Sequence, residues 1–506
     1  MKSSQKTILL IVFLAAAALS LIYQFSTDSL HDDGYFYSKM SQIVAQDGLP
    51  KNLPWIYYGT PNGSFTGNHF LFYVLLVPFT AFFGLIYGIK LFTALCFGLL
   101  SYLFFAIARQ RAGGTAALLA LPFLWFGSAD FFYRMNLNRP LSLVVVLTLA
   151  IIHFLQKNKP WVVFGLCAIF VWLYDGYLVI LPIVITFVLV SYYLEKANHL
   201  ALLGYTVAGI AAGIISHPYF PQNILHPHLA FVNPFLSQNI FDSKEWLFNY
   251  WNSEFLIFSN LVLALFFLSF FFLKNSPQKN SADVFYFVLA ALFLAPSIIA
   301  KRFVDFFAPF TILAGVGILS SAIKQIPLKQ AGKLFFKEYL VFIPAGILGL
   351  VVVFGLTFNL YAAKKMFGGS RSSYQFYGAA ETLKQHAKPG EIIFNAQWDQ
   401  FPQLFFWNDA NYYVAGLNPV FMYKKDPERY WLWRHISNDE LLTCASELCD
   451  RPKETRKIYD AVKNEFNSAY LFLENERNPK LKTFLDRAPN FKTIYSDTKT
   501  GLYKVL

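Results

Sequence analysis

Residues 29–50, "SLHDDGYFYSKMSQIVAQDGLP", follow the first long apolar run of the chain almost at once. They place two adjacent carboxylates, Asp32 and Asp33, where a membrane span would end. Ionisable side chains at membrane depth are costly, so they are candidate functional residues by default. This stretch therefore predicts a polar site at the edge of a membrane.

The composition agrees with a membrane location. The chain has 506 residues, of which 56% are hydrophobic and only 14% charged, whereas soluble proteins carry about a quarter charged residues. The apolar residues form uninterrupted runs of roughly 20, which is typical of transmembrane helices. The net charge of +12 lies mainly in short connections between these runs and not on a basic face, which disfavours nucleic-acid binding.

The charged connections predict how the chain crosses the membrane. Lys2 and Lys6 precede the first run, which is interpreted as a retained signal anchor with the N-terminus in the cytoplasm. Residues 69–86 are expected to lie along the outer leaflet, because a crossing there would put Arg109 and Arg111 outside. The result is about 11 transmembrane helices, N-terminus in and C-terminus out. They cover approximately residues 8–25, 88–108, 114–131, 140–156, 160–174, 177–194, 199–215, 252–273, 283–300, 303–323 and 339–361.

Two domains and two long outer loops follow from this topology. Residues 1–362 are predicted to form the transmembrane domain, with outer loops at 26–87 and 216–250. Residues 363–506 have the composition of a globular domain, predicted to be a small extracytoplasmic α/β domain. "EIIFNAQW", "SAYLFLE", "FKTIYS" and "GLYKVL" are typical of strands, and "DPERYWLWRHI" and "LKTFLDRA" of helices.

The four cysteines divide between the domains. Cys96 and Cys167 lie within predicted spans and are interpreted as packing residues. The spacing of Cys444 and Cys449 does not match a zinc site and shows no partner ligands. An outer location permits a disulfide between them, but only if the chain turns, so the bridge and two thiols both stay open.

The outer connections collect most of the polar residues that the membrane domain can bring together. Lysine and arginine usually lie in the cytoplasmic connections of a membrane protein. Cations in the outer connections depart from this rule, which indicates either anion binding or pairing with acids. For a single acid, the alternative is a solvated residue at the end of a span or a partner in an ion pair. For a histidine, the alternative is a polar residue whose hydrogen bonds are made within the protein. The residues concerned are His31, Asp32, Asp33, Tyr35, Tyr37, His69, Asp130, Arg134, Asn136, Asn138, Arg139, Asp175, His217, Glu245, Glu254, Lys301, Arg302 and Asp305.

The first outer loop resembles that of a known superfamily. "HDDGYFYSKMSQIVAQDGLP" and "GTPNGSFTGNHFLFYVLLVPF" are similar to the corresponding loop of the GT-C membrane glycosyltransferases, and "RFVDFFAPF" resembles their late Arg-containing span. The superfamily includes the oligosaccharyltransferase catalytic subunit, protein O-mannosyltransferases and aminoarabinose transferases. The resemblance implies a GT-C-like fold, a catalytic acid just after the first span and a polyprenyl-phosphate-type lipid donor.

The chain also departs from the oligosaccharyltransferase pattern. Its second outer loop reads "DFFYRMNLNRP", with Arg134 and Arg139 where that enzyme has an acidic motif, and the tryptophan-tryptophan-aspartate signature has only a distant counterpart in "AQWDQFPQLFFWND". Two cations in place of carboxylates disfavour a divalent metal. No cofactor and no metal ligands are therefore predicted, and N-glycan transfer to asparagine is disfavoured.

The resemblance implies roles for the outer residues. Asp33 or Asp32 would act as general base on an acceptor hydroxyl, with Asp33 slightly preferred, and the sugar would be transferred with inversion. The substrate-binding candidates are His31, Tyr35, Tyr37, His69, Arg134, Asn138, Arg139, His217, Lys301 and Arg302. The cations would stabilise the departing lipid phosphate. Trp55, Tyr57 and Tyr58 could stack on a sugar, with interfacial anchoring as the alternative.

The predicted partners are a polyprenyl-phosphate-linked sugar, membrane lipid and an extracytoplasmic glycan, lipid or protein acceptor. The short connections favour a bacterial inner membrane as the location. Two other functions stay open. A transporter would concentrate its ionisable residues near the bilayer midplane in paired halves, and an assembly or receptor protein would use the exported domain to bind carbohydrate without chemistry.

Overall fold

The computed structural model describes residues 3–59, 67, 69–224, 254–276, 279–325, 342–369, 371–450 and 455–506. Glu245 and most of the predicted outer loop 216–250 lie outside these ranges. The helices as far as residue 369 are α1 (Ser3–Gln24), α2 (Asp32–Asp47), α3 (Phe70–Phe83), α4 (Leu85–Ala112), α5 (Gly114–Phe126), α6 (Ala129–Met135), α7 (Leu141–Gln156), α8 (Pro160–Leu173), α9 (Ile180–Glu195), α10 (Leu200–Ile215), α11 (Glu254–Phe258), α12 (Asn260–Asn275), α13 (Ser281–Ile299), α14 (Val304–Gln325) and α15 (Phe342–Gly368).

In the described part of the chain, each predicted span overlaps with an apolar helix, and the spans 114–131 and 252–273 each overlap with two α-helices. Among the described residues, six helical stretches are long and apolar enough to cross a bilayer, or seven if the bent pair α5 and α6 counts as one. The predicted number of eleven and the orientation stay predictions, because α7, α8, α10 and α12 are shorter. The helix α3 has 14 residues, about 21 Å at 1.5 Å per residue, which is less than the roughly 30 Å of a bilayer core.

The chain bends sharply within the predicted span 114–131. The helix α5 ends at Phe126, and the chain turns by 83° into the short helix α6. Ser128 caps α6 by accepting a hydrogen bond from the backbone N–H of Phe131 at 3.2 Å. A side chain at Gly127 would come within 2.3 Å of the Phe123 carbonyl oxygen. The small residue at this corner lets the chain turn sharply between the two helices.

The chain forms two compact units. The helical unit comprises Met1–Thr27, Lys90–Pro221 and Ser243–Gly369, and the mixed unit comprises Asp28–Ile89, Gln222–Asp242 and Ser370–Leu506. The functional division predicted at residues 362 and 363 stays a prediction.

The helical unit is held at one end by a buried ion pair. Arg111, near the end of α4, donates to Asp283 in the first turn of α13 at 2.5 Å and stacks on the ring of Tyr286, 4.3 Å from its centroid. A Cβ on Gly317 of α14 would meet the same carboxylate at 2.1 Å. A glycine at 317 therefore allows α14 to approach the pair closely.

The mixed unit contains a small α/β fold. Its later elements are α16 (Tyr377–His386), β1 (Ile392–Asn395), α17 (Phe401–Trp407), β2 (Tyr412–Tyr413), α18 (Val420–Lys425), α19 (Pro427–Ser437), β3 (Leu442–Thr443), β4 (Arg456–Lys457), α20 (Ile458–Asp460), β5 (Ser468–Glu474), α21 (Pro479–Leu485), β6 (Phe491–Ser496) and β7 (Thr500–Val505). The main sheet has the order β2-β1-β5-β7-β6. β1 is parallel to β2 and β5, whereas β7 is antiparallel to β5 and β6. The four predicted strands and both predicted helices are confirmed.

The first outer loop belongs to this mixed unit. The backbone N–H of Tyr57 donates to the carbonyl of Tyr413 at 2.9 Å, and Tyr413 donates to Trp55 at 2.7 Å. These bonds add one parallel bridge, at Ile56, beside β2. The helix α2 packs on both α3 and α17. The segment from Trp55 to Tyr57 is thus fixed by sheet bonds, and α2 by helix packing.

Candidate active site

The acidic pair opens the helix α2. This helix begins at Asp32, with His31 as its N-terminal cap residue in an extended conformation. The backbone N–H of Gly34 donates to the His31 carbonyl at 2.6 Å, which closes the first turn. Asp33 is half-buried. Carboxylates in the first helical turn are stabilised by the helix dipole, which explains how two acids are tolerated side by side.

The aromatic residues that follow pack inside the mixed unit. Tyr35 is fully buried, and its hydroxyl lies 3.0 Å from the Ser373 hydroxyl and accepts from the Leu30 backbone at 3.1 Å. The ring of Tyr37 lies 5.8 Å from that of His69. Both tyrosines therefore hold α2 in place, and their predicted contact with a sugar stays a prediction.

The other aromatic candidates of the first loop differ in exposure. The indole N–H of Trp55 donates to the Asp409 carbonyl at 2.7 Å. The guanidinium of Arg429 lies 4.7 Å from the centroid of the Tyr58 ring. Tyr57 is 48% exposed. Of these three residues, Tyr57 is the most exposed, although its ring stacks on that of Tyr412.

The helical unit gathers the predicted cations around α6. Arg134 makes two hydrogen bonds to the carboxylate of Asp305, at 2.7 and 2.9 Å, and both side chains are almost completely buried. Lys301 lies 2.5 Å from a carboxylate oxygen of the buried Asp130. Two of the predicted anion-binding cations are thus paired with acids, one of the two interpretations left open by the sequence.

Further charges lie near this cluster. Arg302, Asp175, Asp305 and Arg134 all act electrostatically on the hydroxyl of Tyr174, which follows α8. Arg139, one of the phosphate candidates, lies in the turn before α7 and is half-buried. Charged groups of both signs from three outer connections of the helical unit therefore lie around Tyr174.

Neutral side chains of the same unit are joined by a chain of hydrogen bonds. Asn138 donates to the side chains of Gln24 and Thr93, each at 3.2 Å. Gln24 in turn donates to the carbonyl of Asn136, whose side chain accepts from the hydroxyl of Ser20 at 2.6 Å. The side-chain amide of Asn138 thus has protein partners. Its predicted contact with a substrate stays a prediction.

Sequence reasoning missed Lys90, which is buried in α4. Its ammonium donates to the carbonyl oxygens of Gln24 at 2.9 Å and Thr27 at 2.7 Å. These carbonyls lie at the end of α1, where the helix dipole is negative and a cation is stabilised. A lysine inside an apolar run is itself a signal, since such a charge needs a partner.

The remaining histidine candidate is neutral. Burial lowers the pKa of His217 from 6.5 to about 4. Its Nδ1 atom lies 3.2 Å from the backbone N–H of Tyr219, which donates to it. At physiological pH, His217 is therefore neutral and does not bind an anion as a cation. Glu254, also a candidate, is exposed at the start of α11.

Metal-ligating side chains come together at one place among the described residues, where His435 lies beside Cys444 and Cys449. The two cysteines form a disulfide, with a Cα–Cα distance of 5.7 Å. The sequence left this bridge open and overlooked the histidine. The predicted absence of a cofactor has not been tested.

Known proteins share the fold of the whole chain. No family model matches the sequence, and neither does any curated protein. The structure is similar to that of the apo oligosaccharyltransferase of Archaeoglobus fulgidus, with a TM-score of 0.64 and 13% identity over 100% of this chain and 75% of that one. It is also similar to ArnT of Cupriavidus metallidurans bound to undecaprenyl phosphate, with a TM-score of 0.57 and 13% identity over 99% and 98% of the two chains.

A third similar structure is the archaeal oligosaccharyltransferase AglB from Archaeoglobus fulgidus in complex with an inhibitory peptide and a dolichol-phosphate, with a TM-score of 0.61 and 13% identity over 100% of this chain and 75% of that one. The resemblance inferred from the first outer loop is therefore confirmed in three dimensions: this chain has the fold of the GT-C superfamily of membrane glycosyltransferases.

Proposed function

We propose that this protein transfers a sugar from a polyprenyl-phosphate-type lipid to an acceptor outside the cytoplasm. The observation that carries the proposal is the pair Asp32 and Asp33 in the first turn of α2, in a chain with the GT-C fold. Solved structures with this fold hold undecaprenyl phosphate and dolichol-phosphate. The acceptor would be a glycan, a lipid or a protein of the cell envelope.

The reaction is a single displacement at the anomeric carbon. An acceptor hydroxyl attacks this carbon, and its proton passes to the carboxylate of Asp33, or of Asp32 if that residue is the base. The bond between the anomeric carbon and the phosphate oxygen breaks, and the lipid phosphate leaves with the electron pair. Attack from the opposite side inverts the configuration of the sugar.

The cations of the helical unit support the second half of this reaction. The leaving phosphate gains negative charge in the transition state, which guanidinium and ammonium groups stabilise. Arg134 and Lys301 are already paired with Asp305 and Asp130. Arg134, Arg139, Lys301 and Arg302 are together the candidates for stabilising the leaving phosphate.

The proposal is tested by replacing each carboxylate with its neutral amide. In membranes from a deletion strain complemented with Asp33→Asn, sugar transfer to envelope glycans, lipids and proteins should fall about 10²- to 10⁴-fold, the usual contribution of a general base. Mass spectrometry of the envelope measures this loss. Asp32→Asn should show it instead if Asp32 is the base. Retention of purified undecaprenyl phosphate by the variant should be unchanged.

Asp47→Asn is the matched control, because Asp47 is an exposed carboxylate at the other end of the same helix. It should leave both transfer and abundance unchanged. Full transfer by Asp32→Asn, Asp33→Asn and the double variant would refute the assignment of the base. Transport of a solute without any change in envelope glycans would instead favour a transporter.

A further inference from the structure

An imidazole lies against both sulfur atoms of the disulfide in the mixed unit. The Nε2 atom of His435 is 3.5 Å from the Sγ atom of Cys444 and 3.6 Å from that of Cys449. Its other ring nitrogen, Nδ1, lies 2.9 Å from a carboxylate oxygen of Glu440. His435 and Cys444 are buried, and Cys449 is partly exposed. A nitrogen and two sulfurs thus face a common point.

The local fold fixes these side chains from three directions. His435 lies in the last turn of α19, and the backbone N–H of Glu440 donates to its carbonyl at 3.0 Å. The hydroxyl of Thr443, next to Cys444, donates to the carbonyl of Leu432 at 2.7 Å. The strands β3 and β4 pair through Thr443 and Arg456. The position of the histidine therefore does not depend on the disulfide alone.

We propose that His435, Cys444 and Cys449 form a zinc-binding site when the disulfide is reduced. Tetrahedral zinc with a Zn–S bond of about 2.3 Å and a Zn–N bond of about 2.05 Å separates the nitrogen from each sulfur by about 3.5 Å. Both observed nitrogen–sulfur distances match this value. Two changes are needed: Nε2 gives up its hydrogen-bond contact with the Ser446 carbonyl, 2.9 Å away, and the two sulfurs separate to about 3.8 Å, which cleavage of their bond permits.

The surroundings of the histidine also suit a metal. Zinc-ligating histidines commonly donate their second ring N–H to a carboxylate, which fixes the tautomer that leaves the other nitrogen for the metal. Glu440 provides such a carboxylate at Nδ1. The fourth position can be taken by water or by the carbonyl of Ser446, which lies 2.9 Å from Nε2 and 3.3 Å from the Cys444 Sγ.

The two forms of the site are related by a balanced redox step. A dithiol reductant supplies two electrons and two protons, which turn the disulfide into two thiols while the reductant becomes a disulfide. Zinc then binds the two sulfurs as thiolates and releases their two protons. Because Cys449 is partly exposed, a small reductant can reach one of the sulfurs. The same residues therefore serve either as a covalent bridge or as metal ligands.

Metal titration of the full-length protein in detergent tests the proposal. The protein is reduced with a phosphine under anaerobic conditions, desalted and titrated with Zn²⁺ against a chromophoric chelator. One additional equivalent per chain should bind relative to the oxidised protein, which has the same sequence and serves as the folding control. Co²⁺ in place of Zn²⁺ should give thiolate charge-transfer absorption. Glu440→Gln should weaken binding about 10- to 100-fold, as loss of an outer-shell carboxylate does.

Matched variants distinguish zinc binding at this site from adventitious zinc binding elsewhere on the protein. His435→Gln and Cys449→Ser should both abolish the additional equivalent. The control His386→Gln alters an exposed histidine of the same unit and should keep it. The proposal is overturned if reduced protein binds no additional zinc, if binding survives His435→Gln, or if the disulfide resists reduction in the folded protein. None of these outcomes depends on glycosyltransferase activity.

Discussion

The two units of this protein neutralise charge in different ways. In the helical unit, Arg134 meets Asp305 in a two-bond pair whose side chains are 3% and 5% exposed. In the mixed unit, Arg371 and Arg477 share two acids, Asp399 and Glu474, at distances between 2.7 and 3.3 Å. The arginines of this network are 15% and 37% exposed.

This difference determines what the loss of one partner should cost. A buried charge that loses its counter-ion stays in a medium of low dielectric constant, with no water to replace the partner. In the shared network, both arginines keep one acid when the other acid is removed, and water can reach the position that the lost carboxylate occupied. Ion pairs of similar length in the two units are therefore expected to differ in their effect on stability.

The largest effect is expected for Asp305→Leu in the helical unit. The substitution leaves the guanidinium of Arg134 buried, and arginine cannot become neutral by losing its proton. We expect a loss of about 3–5 kcal/mol in the free energy of unfolding, measured by titration of the purified protein with dodecyl sulfate in mixed micelles.

The double variant Arg134→Met with Asp305→Leu is its control. Replacing both charges by apolar groups of similar size removes the unpaired cation, so most of the lost stability should return. If the double variant were as unstable as Asp305→Leu, the loss would come from packing and not from an uncompensated charge.

Parts of this contrast could be predicted from the sequence. The charges of "DFFYRMNLNRP" and "AKRFVDFF" stand at the ends of apolar runs, which was enough to expect that they meet, because ionisable groups at membrane depth need partners. Which acid pairs with which cation was not accessible. The pairing of Arg134 with Asp305 depends on the bend after Phe126, and a corner set by one glycine leaves no periodic signal.

The mixed unit shows a second limit. Strands β5, β6 and β7 were predictable from local alternation and turn residues. Strand β2 has only two residues, too few for a pattern, and its bridge to Ile56 depends on a contact across more than half of the chain, which no local pattern encodes. For the same reason, His435 was not recognised as the neighbour of Cys444 and Cys449, although it lies only nine residues before the first of them.

A smaller effect is expected for Asp399→Asn in the shared network. Burial alone would raise the pKa of Asp399, but Arg371 and Arg477 outweigh burial and hold it below the ordinary 3.8. The ionised carboxylate therefore stabilises the fold above about pH 4, and this contribution is lost as the pH falls through the lowered value. At pH 7 we expect a loss of about 1–2 kcal/mol, measured by the thermal unfolding midpoint in detergent.

The stability difference between wild type and Asp399→Asn should shrink as the pH is lowered below 4. The carboxylate of the wild type then becomes protonated and is neutral, like the asparagine side chain. Unchanged stability at pH 7 would mean that Glu474 alone neutralises both arginines. A loss as large as that of Asp305→Leu would remove the proposed distinction between the two units.

The smallest effect is expected for Lys384→Gln. Lys384 and Glu381 form a pair 2.6 Å apart on α16, with side chains that are 40% and 35% exposed. Water solvates both groups when the pair is broken, so a loss of at most about 0.5 kcal/mol is expected, and added salt should reduce it further. The thermal unfolding midpoint at low and high salt measures it. The pair is as short as those in the buried cluster, so a large loss here would show that distance, and not burial, determines how much an ion pair stabilises this protein.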